Sequence, residues 1–164
     1  MFYEDVLRAL AGAGCRFLIV GGVAVNLHGV PRMTADLDLL IDLEPVNVER
    51  TVSALLSLGY RGRAPVDPMK LANTAERESW VRDKGMKAFS FFHPSRPFQV
   101  VDLLVHAPID FAVASNRALT LTAEGLELRL VSIEDLIHMK EFAGRAQDLA
   151  DIRALRKLKE GEPG

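Results

Sequence analysis

Apolar residues along this chain recur alternately at helical and at strand spacing. From Tyr3 to Ala13 the spacing predicts a helix, and the apolar run Phe17 to Val20 reads as a buried strand within 16–20. Gly21-Gly22 marks a turn that needs small residues, with a helix expected over 22–29. A second strand is expected over 35–42 and a helix from Val46 to Leu58. Residues 61–85 are polar, carry Pro65 and Pro68, and predict a short helix from Pro68 to Arg77 in a stretch suited to a flap over a site. Met86 to Phe92 and Phe98 to Val105 read as strands, and the intervening His-Pro-Ser-Arg-Pro is short enough for an antiparallel hairpin. Ser132-Ile-Glu-Asp135 has the form of a capping box, followed by an apolar face of Ile133, Leu136 and Ile137 that also carries Lys140. A break near Gly144 precedes a last helix, Arg145 to Lys159. Alternating helices and strands predict an α/β (α+β) sheet protein.

Composition narrows the class. At 164 residues and 49% apolar, the chain suits one domain over 1–160, with a core over 14–130, a C-terminal helical pair over 131–160 and a flexible tail at 161–164. The formal charge of −2 provides no global basic field for nucleic acid, although the last helix is locally rich in Arg and Lys. A single cysteine, Cys15, excludes an internal disulfide and fits a reducing cytoplasm. His93, His106 and His138 have no zinc-ligand spacing with one another or with Cys15. No signal-peptide pattern or membrane-spanning run is read, so no membrane partner is expected.

The candidate chemistry lies where glycines and acids meet. Gly21-Gly22, between a strand and a helix, leaves backbone N–H groups free to meet a phosphate. Asp36 and Asp38 stand two apart in a strand candidate, so both project from one face and repel each other unless a cation intervenes. A hard divalent cation such as Mg²⁺ takes oxygen ligands from carboxylates and substrate phosphates together. Asp102 is the single charge in the apolar strand Phe98 to Val105. A buried carboxylate needs a partner. Alone it would suit an Arg or backbone N–H groups, whereas beside Asp36 and Asp38 it suits a metal. Lys140 either snorkels past the core or holds a phosphate as a point charge. Arg32 can meet a triphosphate or pair with an acid. Arg145 and Asp148 can pair with each other or extend a polar network, and Asp151 reads as a surface or helix-pairing residue.

These motifs resemble those of nucleotidyltransferases of the DNA polymerase beta superfamily. The stretch HGVPRMTADLDLLID, with Arg32 and Thr34 leading into the acid pair, resembles more narrowly the AbiEii-type toxin branch. The C-terminal Lys140, Arg145 and Asp148 are similar to that branch's last motif. The resemblance covers about 14–42, 98–105 and 131–155, and it implies a mixed sheet flanked by helices with a short C-terminal helical segment. It implies Mg²⁺-dependent transfer of a nucleoside monophosphate from an NTP to an acceptor hydroxyl, with release of pyrophosphate. Asp36, Asp38 and Asp102 would be the catalytic acids and the ligands of two Mg²⁺ ions, with Mn²⁺ as an alternative. Gly21, Gly22, Arg32, Thr34, Lys140, Arg145 and Asp148 would bind the nucleotide. The acceptor would be tRNA, a protein or a small molecule, and an antitoxin protein a further partner. The competing readings are a nucleotide- or partner-binding module with the same fold and no turnover, and a metal-dependent phosphohydrolase.

Overall fold

A computed structural model describes residues 3–161. In chain order the elements are α1 (Glu4–Gly12), β1 (Phe17–Val20), α2 (Gly21–Leu27), β2 (Leu37–Ile41), α3 (Pro45–Ser57) and β3 (Arg61–Gly62). There follow a 3₁₀ helix (Pro68–Ala72), α4 (Thr74–Lys84), β4 (Ala88–His93), β5 (Arg96–Leu104) and α5 (Phe111–Arg117). The chain closes with β6 (Leu119–Ala123), β7 (Leu126–Leu130), α6 (Ile133–Ala143) and α7 (Ala146–Lys159). The strands form one mixed sheet in the order β3-β4-β5-β2-β1-β7-β6. β2 runs parallel to β5 and antiparallel to β1, and β1 runs parallel to β7.

Strand alternation divides the sheet into two unlike faces. Leu37, Leu39 and Ile41 of β2, Val101 and Leu103 of β5, and Phe89 and Phe91 of β4 are all buried and lie in register on one face. α1 buries Val6, Leu7 and Leu10 at helical spacing, and α3 does the same with Val48, Val52 and Leu55. These two helices pack on each other. Asp38, Asp102 and Ser90 occupy the intervening positions and therefore the opposite face. α6 packs against α2 and α7, and Leu136, Ile137, Ile152 and Leu155 join the same apolar cluster as the sheet.

Several expectations need adjustment. β2 begins at Leu37, so Asp36 precedes the strand instead of lying within it. The helix expected over Pro68 to Arg77 is split at Asn73, whose extended backbone stops the 3₁₀ turn. Its side chain accepts the Glu76 N–H at 3.1 Å, capping α4. Residues 68–84 of this stretch do not cover the acids, although Arg63 at its start bears on Asp36. Leu71, Arg77 and Trp80 are buried, and Trp80 stacks on Phe89, on the face away from Asp38 and Asp102. Ser132 does cap α6 through the Asp135 N–H at 3.1 Å, but the Asp135 carboxylate accepts from Nε and Nη2 of Arg117 instead of completing a box. Residues 106–130, for which no element is predicted above, form α5 and the β6-β7 hairpin. Of the tail expected over 161–164, residues 162–164 lie outside the described residues.

Phe89, fully buried between Trp80 and Phe91, is a keystone of the acid-free face. Phe89→Ala is expected to lower unfolding stability by about 3–5 kcal/mol. A urea titration checks this as a lower midpoint with an unchanged slope.

Candidate functional site

The acid group forms at the centre of the sheet. Asp38 is opposite Val20 across β1 and opposite Asp102 across β5. Parallel neighbours stand about 4.8 Å apart, so the register alone brings these two carboxylates together. Ser90, opposite Asp102 on β4, donates its hydroxyl to Asp102 Oδ1 at 2.5 Å. Asp36 stands at the mouth, exposed, two residues before Asp38.

Glycine makes this approach possible. Gly21 has φ +65°, and a Cβ there would overlap the Asp38 carboxylate. Only glycine fits both the left-handed backbone and the space. A Cβ on Gly22 would stand 2.9–3.0 Å from the Thr34 side chain and Arg32 Nη1. Thus the two glycines press against different partners, the first against an acid and the second against a hydroxyl and a guanidinium. Thr34 Oγ1 and Arg32 Nε are buried here without a hydrogen-bond partner among the described residues.

Electrostatics mark Asp38. Burial, followed by the neighbouring charges of Asp102 and Asp36, pushes its carboxyl up to about 7, against a smaller downward pull from Lys140. Burial and the Asp102 charge also raise Asp36, with Arg63 opposing.

Across the cleft lies a cationic network built from α6 and α7. Lys140 is buried and contacts Asp151 at 2.8 Å and Asp148 at 3.4 Å. Arg32 reaches the same Asp151 Oδ2 at 2.8 Å, and Gln147 donates to the other oxygen at 3.0 Å. Arg145, its side chain 77% exposed, holds Asp148 through Nε at 2.8 Å and through its backbone N–H at 3.1 Å. Burial alone would raise Asp148, but the Arg145 hydrogen bonds and the Lys140 charge outweigh it and hold the carboxyl below its ordinary range. Bonding to Asp148 in turn raises Arg145.

One cleft of about 430 Å³ gathers Gly21, Asp36, Asp38, Asp102, Lys140, Arg145 and Asp148. Gly22, Arg32 and Thr34 do not line it; they pack together beside it. A larger cavity of about 590 Å³, at the far ends of β2 and β5, contains none of the three acids. Of the two readings of Asp151, the structure overturns the surface one and fits helix pairing, since Asp151 is 3% exposed and joins Lys140 of the neighbouring helix to Arg32. The spacing of Asp148, Asp151, Ile152 and Leu155 is that of one buried helix face and could have revealed it. Ser90 and Lys87, which lines the cleft, had no signal of their own. Among the described residues, no group of three or more His, Cys, Asp or Glu side chains is arranged to hold a metal ion.

Two outcomes are expected. Gly21→Ala combines a strained backbone with displacement of Asp38, and its melting temperature is expected to fall by at least about 5 °C. Asp148, whose folded carboxyl is depressed, contributes stability above the unfolded carboxylate value of about 3.9 that is lost as pH falls toward the folded value. Thermal melts from pH 6 to pH 3 should therefore show a shallower acid decline in Asp148→Asn, from a lower starting point.

Comparisons with known proteins bear on the fold and the family. A search of curated protein sequences gave no match. The structure of ANT(2")-Ia in complex with adenylyl-2"-tobramycin is similar at a TM-score of 0.59 and 16% identity, over 93% of this chain and 84% of that one. The lincosamide antibiotic adenylyltransferase LnuA, lincomycin-bound, gives 0.57 at 14% identity, over 92% of each chain. An antigenic nucleotidyltransferase-like protein from Paracoccidioides brasiliensis gives 0.55 at 20% identity, over 93% of this chain and 72% of that one. At these identities the likeness is one of fold, and it matches the mixed sheet flanked by helices expected from the sequence. The family described as nucleotidyltransferase of unknown function, DUF6036, matches residues 7–160. The chain therefore belongs to the DUF6036 family of nucleotidyltransferases.

Proposed function

We propose that the protein transfers a nucleoside monophosphate from an NTP to an acceptor hydroxyl and releases pyrophosphate. The observation that carries this reading is a single cleft with Asp36, Asp38 and Asp102 on one wall, Lys140 and Arg145 on another, and Gly21 between them. The all-carboxylate donor set fits a hard divalent cation, and the upward shift of Asp38, caused by burial first and then by the Asp102 and Asp36 charges, is one that such a cation would oppose. Asp36, Asp38 and Asp102 would hold Mg²⁺, or Mn²⁺ in its place. When bound, the metal supplies Lewis-acid activation of the phosphoryl group and of the attacking oxygen.

The chain's own groups do the rest. Gly21 and Gly22 would meet the phosphates through backbone N–H groups, their missing side chains making way for the Asp38 carboxylate and for Thr34 and Arg32, whose Oγ1 and Nε are buried beside them without a hydrogen-bond partner among the described residues. Lys140, in the cleft, and Arg145, at its edge, offset charge on the pyrophosphate as it leaves. Asp148 keeps both cations in place. Asp102, oriented by Ser90, accepts the proton of the acceptor hydroxyl. That oxygen forms the new bond to the α-phosphorus as the bond to the bridging oxygen breaks, and pyrophosphate carries away the electron pair.

The acceptor we assign is a small hydroxyl-bearing molecule. Two fold neighbours that span most of this chain are described with tobramycin and lincomycin. The AbiEii-like motif around Arg32 and Thr34 instead favours a macromolecular acceptor and an antitoxin, and the same experiment separates the two. No helix among the described residues is long and apolar enough to cross a membrane.

With each α-³²P-labelled NTP, Mg²⁺ and fractionated cell extract, wild type is expected to give pyrophosphate and a labelled small molecule. Asp36→Asn and Asp38→Asn should each lose at least about 10²-fold in rate while remaining folded. Label in RNA or protein would move the acceptor to the macromolecular class. Labelled nucleotide released to water without a labelled acceptor would indicate hydrolysis, and binding without products a non-enzymatic module. A second outcome follows from Asp38. A raised folded pKa means that stability present below about pH 3.9 is lost as pH rises toward 7. Millimolar Mg²⁺ should thus raise the melting temperature more at pH 8 than at pH 5, as scanning calorimetry can measure.

A further inference from the structure

We propose that Tyr3 is a positioning residue for the acid group, its hydroxyl standing in for a missing rung between the strands that carry Asp38 and Asp102. The inference rests on the assignment of Asp36, Asp38 and Asp102 as the metal-holding acids. The parallel ladder between β2 and β5 begins at Leu37 opposite Val101, so Ala35 and Asp36 lie before the first pair. Without another tie, the backbone leading into Asp36 would be free to move away from β5.

The Tyr3 hydroxyl supplies the tie. It lies 2.6 Å from the Ala35 carbonyl oxygen and accepts the Val100 N–H at 2.9 Å, with the Val100 carbonyl oxygen at 3.1 Å. A phenol has one proton to donate, and the shortest contact assigns it to Ala35. One hydroxyl thereby joins the residue before Asp36 to the residue two before Asp102. The phenol stays neutral, because burial, opposed by the Val100 hydrogen bond and helped by the smaller Tyr60, Asp36 and Asp102 charges, pushes it up to about 12.

The surroundings fix Tyr3 from the other side. Its side chain is 3% exposed within the main apolar cluster, and its carbonyl accepts the Leu7 N–H at 3.0 Å in the first turn of α1. Its backbone is left-handed, φ 58° and ψ 25°, a conformation that residues with a Cβ avoid and that persists where surrounding contacts impose it. α1 therefore acts as the anchor that presses one hydroxyl between β2 and β5. Phenylalanine would fill the same space and break the tie.

Tyr60 provides the control. It is likewise buried, and its hydroxyl donates to the Gln99 side chain at Oε1, 2.9 Å away, instead of to the backbone of β2 or β5. Mn²⁺ affinity is to be measured by electron paramagnetic resonance in wild type, Tyr3→Phe and Tyr60→Phe, alongside amide hydrogen exchange of the metal-free proteins. Tyr3→Phe is expected to weaken Mn²⁺ binding about 10-fold, the scale of lost support behind a metal ligand. It should also accelerate exchange of the Asp36 and Leu37 amides, while Tyr60→Phe leaves both unchanged at a comparable loss of melting temperature. Equal Mn²⁺ affinity and equal exchange in wild type and Tyr3→Phe would overturn the inference and leave the acid assignment standing. Absence of Mn²⁺ binding by wild type would overturn the acid assignment and this inference with it.

Discussion

Two carboxylates facing each other across adjacent parallel strands are the constraint around which this molecule is organised. The register that buries Leu37, Leu39, Val101 and Leu103 on one face necessarily sets Asp38 against Asp102 on the other. A slip by one residue would remove the clash and expose the core, so the apolar face enforces the unfavourable charge pairing. Asp36 adds a third charge at the mouth. Burial and repulsion together raise Asp38 to about 7, a state that a cation or a proton must relieve.

Opposite the acids, the fold places cations that are themselves held by acids. Asp151 contacts both Lys140 and Arg32, and Asp148 contacts Lys140 and Arg145. Three cations against two carboxylates leave a net positive charge beside the cleft. Buried pairs of this kind contribute little net stability, because desolvation offsets attraction, but they fix the position of long flexible side chains. A lysine so fixed can meet a phosphate without first losing side-chain freedom. The C-terminal helices thus act on the sheet's chemistry as well as covering it.

Local signals in the sequence carried much of this arrangement. Gly21-Gly22 after an apolar strand, Asp36-Leu-Asp38, and a lone acid in the β5 pattern all lie in or beside one cleft. The elements that carry them, β1, α2, β2 and β5, were predicted within about two residues of their observed bounds. What escaped depended on contacts distant in the chain. Asp151 reads as a surface or helix-pairing acid, and the choice is made only when Lys140 and Arg32 are brought to it from other elements. Tyr3 lies 97 residues from Val100, and nothing in its neighbourhood hints at the bond. The stretch 61–85 suggested a flap by its polarity, yet Leu71, Arg77 and Trp80 commit its helical part to the opposite face. The acid register itself was implied by strand periodicity, but its pairing was not, because β2 and β5 are parallel and joined through long intervening chain.

Charge balance at Asp38 connects the fold to the proposed transfer reaction. Carbon-13 titration of the aspartate carboxyls, with and without Mg²⁺, tests that balance most directly. The Asp38 carboxyl should titrate near 7 in the metal-free protein and move below the ordinary carboxylate range when Mg²⁺ is present. An ordinary midpoint that Mg²⁺ leaves unmoved would contradict both the raised acid and its role in holding a metal.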